Sequence, residues 1–263
     1  MHTINITLRE DNLAEVLAGI AILGISETHY SNSNFCRWNR GTLIIEAAIT
    51  EYELLQHVHE FISDLQWVQS LGDVHQGVFQ SKNMIGVSPF MDFANHGEPS
   101  IFKNFSGQVT ALAIATGQQR AIAGLCPSTF AGWLAETALK GTLKPPVNSW
   151  GLDWRTNAHS LDVGFSPNDD NTSRHNKIFP VVDALANAAL SFFLPCAVLK
   201  NGEHELCYNL WTELIPISAA SLALTDGING LAGHRYKITR RPKAYGDGES
   251  YKYFPAAIIQ NQH

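Results

Sequence analysis

The stretch INITLREDNLAEVLAGIAIL, residues 4–23, changes its hydrophobic period part of the way along. Its first apolar residues alternate with polar ones, which predicts a half-buried β-strand; they are Ile4, Ile6 and Leu8. The next apolar residues recur at helical spacing, and Asp11 or Asn12 is suited to cap a helix at this point. The chain therefore begins with a strand that leads directly into an apolar helix. The predicted buried face of that helix comprises Leu13, Val16, Leu17, Ile20 and Leu23.

A second strand and helix follow the same order. Residues 43–49 predict a strand, and residues 26–40 between the two units predict a loop or irregular hairpin. Thr50 and Glu53 form a capping-box pattern, in which each side chain can satisfy a backbone donor at the helix start. The apolar face of this helix comprises Leu54, Leu55, Val58, Phe61, Ile62 and Leu65.

The remaining pattern mixes helices with hairpins. Helices are predicted over 107–123, 128–139, 179–194 and 216–224, and strands over 74–80, 84–90 and 160–165. Asn201-Gly202 favours a tight hairpin turn, and a terminal hairpin is predicted to pair 234–241 with 249–255. The fold class is therefore α+β, with mixed helices, antiparallel strands and hairpins, rather than a doubly wound parallel sheet.

Domain organisation is predicted from the segment 141–154, which contains Pro145-Pro146. It divides the chain into an N-terminal α+β half, 1–145, and a C-terminal α+β half, 146–263, that carries a basic hairpin. The segment is short for a linker, so one continuous domain is the alternative.

Composition excludes several classes of protein. The formal charge of -6 over 263 residues argues against a uniformly basic nucleic-acid-binding surface, although it permits a local basic strip. The four cysteines include no Cys-x-x-Cys pair, which argues against a zinc ribbon. The start lacks a secretory pattern and no apolar run reaches the length of a membrane span. These features predict a cytoplasmic protein with no membrane association.

Catalytic and metal-binding patterns are weak. His57 and His59 lie on opposite sides of their predicted helix, and phosphate-loop and zinc-protease motifs are absent. Asp162, Asp169 and Asp170 are able to gather a divalent cation, and with His175 they define the alternative of a metal-dependent nuclease or RNA-processing enzyme. A turn is the simpler explanation of this region, because Ser-Pro-Asn-Asp side chains bond backbone donors. No cofactor, no metal and no catalytic residue are predicted.

The C-terminal segment is the strongest candidate for binding nucleic acid. On a strand, Arg235 and Lys237 share one face with Thr239, while Tyr236 and Ile238 point to the other. The basic face is suited to phosphates, with Tyr245, Tyr251 and Tyr253 as stacking surfaces. Arg240 falls on the other face with Tyr236 and Ile238. The candidate cations of the whole segment are Arg235, Lys237, Arg240, Arg241 and Lys243. The alternative is a solvated edge strand that its charges protect from aggregation.

Two other segments add candidate cations. Lys103 precedes Gly107 and a predicted helix, and helix starts favour anions. Arg174 and Lys177 lie in the polar loop 166–177, a connection between two core elements. Such connections often carry binding residues.

Several motifs resemble a CRISPR-associated family of type I-U (I-G) loci, the third family of the Csb group. The opening strand and glycine-containing helix, 4–9 and 17–20, are similar to that family's start. The corner Ser166-Pro167-Asn168-Asp169, after Phe165, resembles its Ser-Pro-Asn-Asp motif, and 180–186 resembles its Pro-Val-Val helix. Residues 210–216 with the basic hairpin, and more faintly 102–107, resemble the family's other segments.

The resemblance implies a non-catalytic subunit of a Cascade-like, CRISPR RNA-guided surveillance complex in antiviral defence. Its expected partners are CRISPR guide RNA, target DNA and other CRISPR-associated subunits. The resemblance also implies a relationship to the ferredoxin-like RNA-binding subunits of such complexes. In them base pairing reads the sequence, while protein contacts hold backbones or read a short flanking motif. A module that binds only protein is the remaining alternative.

Overall fold

Two antiparallel four-stranded sheets and two long apolar helices dominate the computed structural model, which has an α+β fold. It describes residues 1–29, 34–69, 77–81, 84–85, 91–92, 98–99, 111–139, 150, 152–153, 155, 177–192, 197–200, 203–225, 227–228, 230–239, 241–243 and 251–260. The helices within these ranges are α1 (Leu13–His29), α2 (Glu51–Asp64), α3 (Ala111–Ala123), α4 (Phe130–Leu134), α5 (Pro180–Phe192), a 3₁₀ turn (Ile217–Ala219) and α6 (Ala220–Leu224).

The strands are short and pair only antiparallel within the described residues. Their bounds are β1 (His2–Thr7), β2 (Phe35–Trp38), β3 (Thr42–Ala47), β4 (Gln66–Gln69), β5 (Gly77–Ser81), β6 (Met84–Ile85), β7 (Met91–Asp92), β8 (Glu98–Pro99), β9 (Ala138–Leu139), β10 (Lys177–Ile178), β11 (Ala197–Lys200), β12 (Glu203–Trp211), β13 (Ile215–Pro216), β14 (Gly233–Thr239), β15 (Arg241–Lys243), β16 (Tyr251–Tyr253) and β17 (Ile258–Gln260).

The first sheet has the strand order β1-β3-β2-β13. The elements β1, α1, β2, β3 and α2 thus follow one another with β3 between β1 and β2, and α1 contacts α2. This order matches the first five elements of a β-α-β-β-α-β unit. The match ends at the sixth element, because β4 pairs with β5 and β13 from the second half of the chain extends the sheet beside β2.

The second sheet has the order β11-β12-β14-β17 and comes entirely from the C-terminal half. Lys200 pairs with Glu203, which confirms the predicted two-residue hairpin between β11 and β12. The terminal hairpin differs from the prediction. Within the described residues, only 241–243 pairs with 251–253, while β14 pairs with β12 and β17 instead. The nine-residue β12 on one side and the short β17 on the other give β14 more backbone hydrogen bonds than a local hairpin would.

The helix α1 packs along α5 at the centre of the fold. The predicted apolar face of α1 is buried, and so are the alanines on its opposite side, including Ala14 and Ala21. Gly19 faces the first sheet, where an added Cβ would lie 3.0 Å from Leu8 Cδ1 and 3.2 Å from Trp38. A glycine therefore allows this helix to approach the sheet closely.

One hydrophobic cluster contains residues from both predicted halves, among them Leu17 of α1 and Leu185 of α5. The boundary at 145–146 lies outside the described residues, so the division into halves stays a prediction. The cluster is consistent with a core shared between the two halves, because each contributes one of the central helices.

Side-chain caps explain three helix starts, and two of the predicted spans are wrong at least in part. Thr50 and Glu53 form the predicted capping box, and Asn12 Oδ1 accepts a hydrogen bond from Ala14 N at the start of α1. The prediction of one helix over 128–139 is wrong. Thr129 caps the five-residue α4, and Ala138–Leu139 then forms a strand with Lys177–Ile178. The prediction of a loop or irregular hairpin over 26–40 is wrong where α1 continues to His29, whereas 35–38 forms β2 and pairs with β3 as a hairpin.

Candidate nucleic-acid interface

Strand β14 separates its cations from its apolar side chains, as its alternating sequence predicts. Tyr236 and Ile238 are buried, whereas Arg235, Lys237 and Thr239 are half-buried on the opposite face. Neighbouring strands add polar groups to this second face, because residues directly opposite in a ladder project to the same side. We call this set the β14 outer face: Arg235, Lys237 and Thr239 of β14, Glu205, Cys207 and Asn209 of β12, and Ile258 and Gln260 of β17.

The charge of the β14 outer face is only slightly positive. Lys237 Nζ forms an ion pair with Glu205 Oε1, and their side chains are 29% and 19% exposed. Two cations and one carboxylate leave a formal charge of +1 on this face. Partly exposed ion pairs contribute roughly 0–1 kcal/mol, so a phosphate group is able to compete with Glu205 for Lys237. Asn209 lies opposite Arg235 and adds an amide donor beside that guanidinium.

The inner face of the same sheet is held by two stacked tyrosines. The rings of Tyr208 and Tyr236 lie 5.3 Å apart and 11° from parallel. Both hydroxyls donate to Glu10, Tyr208 to its backbone carbonyl at 2.7 Å and Tyr236 to its carboxylate at 2.6 Å. Gly41 N donates to the other carboxylate oxygen at 2.7 Å. The connection between β1 and α1 thus holds β12 and β14 in place.

The electrostatics of this contact keep both tyrosines protonated. Burial raises the pKa of Tyr208 well above its ordinary value. Burial, followed by the hydrogen bond to Glu10, raises the pKa of Tyr236. Both phenols therefore remain donors to Glu10, Tyr208 to its backbone carbonyl and Tyr236 to its carboxylate. This support makes β14 a rigid platform for its outer face.

A buried ionic cluster lies at the start of α1 and was not predicted. Arg155 Nη1 lies 2.8 Å from Glu15 Oε1, and Arg155 Nη2 lies 2.5 Å from Asp153 Oδ2. Asn12 Nδ2 donates to Asp153 Oδ1 at 3.0 Å. The guanidinium carbon also lies 3.5 Å from the centroid of the Phe179 ring, in cation–π geometry. The ionic cluster consists of Asn12, Glu15, Asp153 and Arg155.

Burial and pairing oppose each other within the ionic cluster. Burial raises the pKa of Glu15, while the nearby Arg155 lowers it and offsets part of that increase. Burial lowers the pKa of Arg155, but Asp153 and Glu15 raise it overall. The guanidinium therefore stays charged and holds Asp153 and Arg155 against the start of α1. We assign the cluster a positioning role, since its side chains bond one another.

The other predicted cations are separated in the structure. Arg241 and Lys243 lie on β15, whose partner β16 places Tyr253 and Tyr251 opposite them in register. Lys177 is exposed on β10, which pairs with β9 in a separate two-stranded sheet. Lys103, Arg174, Arg240 and Tyr245 lie outside the described residues.

The predicted corner and the nuclease alternative also fall outside the described residues. This applies to Ser166, Pro167, Asn168 and Asp169, and to the remaining candidates Asp162, Asp170 and His175. Over the described ranges, no three His, Cys, Asp or Glu side chains are placed to hold a metal ion together. Every helix in those ranges is too short or too polar to cross a bilayer.

No protein-family model, curated protein or solved structure matches this chain.

Proposed function

We propose that this chain is a non-catalytic subunit of a type I CRISPR RNA-guided surveillance complex, and that it contacts the backbone of guide RNA or target DNA. The motifs described above resemble such a family. One observation supports backbone contact best: Arg235 and Lys237 lie on the same face of β14, a strand whose other face is held in place by hydrogen bonds to Glu10. Cations on a rigid strand suit phosphates, which position a nucleic acid without reading its sequence.

The acidic net charge agrees with this role. A subunit held mainly by protein neighbours needs only a few well-placed cations, and acidic surfaces elsewhere limit binding to unrelated nucleic acid. The β-α-β-β-α part of the first sheet supports a relationship to ferredoxin-like RNA-binding subunits. In this proposal base pairing supplies the specificity and the chain supplies charge and shape. It requires no metal, cofactor or catalytic group.

Copurification tests the proposal directly. The tagged chain is expressed with the products of its neighbouring genes and a repeat-spacer array, and the purified material is extracted for RNA. We expect other CRISPR-associated subunits together with a short guide transcript of uniform length. Recovery of the chain without RNA in such a preparation would contradict the proposal. Cleavage of labelled RNA or DNA by the isolated chain with magnesium or manganese would favour the nuclease alternative instead.

Neutralising the outer-face cations is expected to weaken binding in a salt-dependent way. Arg235→Gln with Lys237→Gln removes two phosphate contacts, so the slope of log affinity against log salt should fall by about 2. Titrating target DNA into the assembled complex at several salt concentrations measures this slope. Arg40→Gln, at an exposed cation in the turn between β2 and β3, is the matched control and should leave the slope unchanged.

A third variant tests whether freeing Lys237 from its ion pair strengthens DNA binding. Glu205→Gln releases Lys237 from its ion pair, so it should increase affinity for DNA at low salt. If Glu205→Gln and the double glutamine variant both leave affinity and slope unchanged, the β14 outer face does not contact the nucleic acid.

A further inference from the structure

Two adjoining spaces lie between α2, α3 and α5, away from the β14 outer face. One is a small cavity of about 20 Å³, and the other is a more open groove of about 260 Å³. Ile62, Leu65 and Gln119 line both spaces. The cavity has room for about one water-sized group. The groove is large enough for a small molecule but not for a folded partner.

Asn187 of α5 gives the cavity an unusual chemistry. Its side chain is fully buried, and neither the amide nitrogen nor the amide oxygen has a hydrogen-bond partner among the described residues. The polar neighbours bond one another instead. Trp150 Nε1 donates to Gln118 Oε1 at 2.7 Å, and Gln118 Nε2 donates to Asp183 Oδ2 at 3.2 Å. A buried amide with no protein partner is unfavourable, which makes it a candidate for contact with a ligand.

Gln119 lines both the cavity and the groove. Its side-chain amide donates to the Leu65 carbonyl, so the carboxamide spans the gap between α3 and the end of α2. A rotation of this one side chain would join the two spaces. It would cost one hydrogen bond, and a polar ligand group entering the gap is able to replace that bond.

The groove combines an apolar surface with a single cation. Ile62, Leu65 and Ile122 form its almost fully buried floor, the exposed Ala123 adds apolar surface, and Thr116 and Gln119 provide polar groups. Arg120 is exposed and is the only charged side chain that lines it within the described residues. Such a groove suits a ligand with a flat apolar body and one anionic group. The side-chain amide of Asn187 has one donor group and one acceptor. It therefore suits a ligand whose ring edge presents an acceptor beside a donor, as nucleobases do.

We propose that the groove and cavity together bind one nucleotide unit. Arg120 binds its phosphate, the apolar side chains contact its base, and Asn187 bonds a carbonyl or amino group of the base edge after Gln119 moves. The identification of that unit as part of a guide or target strand rests on the proposed function, whereas the binding of a nucleotide does not. This is a site for a single unpaired nucleotide, separate from the backbone contacts of β14.

Ligand-observed NMR and calorimetry on the purified full chain test the proposal, with the four ribonucleoside monophosphates as probes. We expect binding of at least one of them, and at least tenfold weaker binding after Asn187→Leu. Removing a buried amide without partners should also raise Tm by about 2–4 °C. Arg120→Gln should weaken the monophosphate but not the matching nucleoside, and Arg40→Gln is the control for charge alone.

Several outcomes would overturn the proposal. One is that no monophosphate binds at millimolar concentration, and another is that Asn187→Leu binds as the parent chain does. The third is a lower Tm of that variant, which would show that the amide is bonded for structural reasons. If Asn187→Leu does not fold, Asn187→Asp, which has a nearly identical shape, tests the same contact through the lost amide donor.

A trinucleotide distinguishes the source of the nucleotide. If the trinucleotide binds as tightly as the monophosphate, the site accepts a nucleotide within a nucleic-acid strand. If only the monophosphate binds, the site is supported but its link to the complex is overturned. A chain that binds nucleotides but copurifies without guide RNA would contradict the proposed function and leave this site standing.

Discussion

Replacing Arg155 by alanine is expected to lower the free energy of unfolding by about 3–5 kcal/mol. The arginine side chain is only 13% exposed and pairs with Glu15 and Asp153, which are themselves buried. Its removal leaves two carboxylates in a site with little water, and the attraction that offset their desolvation is lost. Chemical denaturation of the purified variant measures the change. Arg9→Ala is the control, because Arg9 is half-exposed and lies 4.0 Å from Glu15.

The pH dependence of the same variant provides a second test. A carboxyl whose pKa is higher in the folded state binds more protons when folded, so stability declines as pH rises through that pKa. The pKa of Glu15 is already raised by burial, and Arg155 is the main group that lowers it. Without Arg155 the pKa rises further, so the deficit of the variant should shrink as the pH is lowered from 7 to 5. A deficit below about 1 kcal/mol, or one independent of pH, would contradict the role of the ionic cluster.

Leu185→Ala is expected to cost about 2–5 kcal/mol, the usual range for a leucine truncated in a core. Leu185 is fully buried in α5, the helix that packs along α1, and the shared hydrophobic cluster surrounds it. We further expect fluorescence and circular dichroism to report one coincident transition, because the central helices come from opposite halves of the chain. The matched control is Leu222→Ala. Leu222 is 56% exposed, so its truncation should change stability by less than about 0.5 kcal/mol.

One result would contradict the expectation of a single unfolding transition. Two separate transitions, with only one shifted by Leu185→Ala, would mean that the halves 1–145 and 146–263 fold independently.

Local patterns in the sequence predicted the local structure of this fold. The capping box at Thr50 and Glu53 is confirmed, and so is the alternation that buries Ile4 and Ile6. Both are decided within a few residues by hydrogen-bonding geometry or by the side-chain period. The wrong helix over 128–139 has a nonlocal cause. Residues 138–139 form strand hydrogen bonds with 177–178, and no periodicity near them signals that partner.

At the candidate site too, local features were predictable from the sequence and contacts between distant residues were not. The two faces of β14 were predictable, because a strand alternates whatever its neighbours are. The ion pair that lowers the charge of its outer face was not predictable, since the predicted hairpins kept Glu205 and Lys237 apart, whereas β12 and β14 pair directly. The ionic cluster was hidden for a similar reason, as Asn12 and Asp153 are 141 positions apart. Asn187 gave no signal, because an asparagine within an apolar helix shows its missing partners only in three dimensions.

The hydrogen bond from Tyr236 to Glu10 spans 226 positions and has a consequence for synthesis in the cell. At typical rates of about 5–20 residues per second, the ribosome needs roughly 11–45 s to add the tyrosine after the glutamate. Until both tyrosines are synthesised, the β1–α1 connection lacks the hydroxyls that hold it, and for most of that time α1 also lacks its contacts with α5. Folding of this region should therefore be completed only after Tyr236 has been added, and chaperones that bind exposed apolar segments have a defined period in which to act.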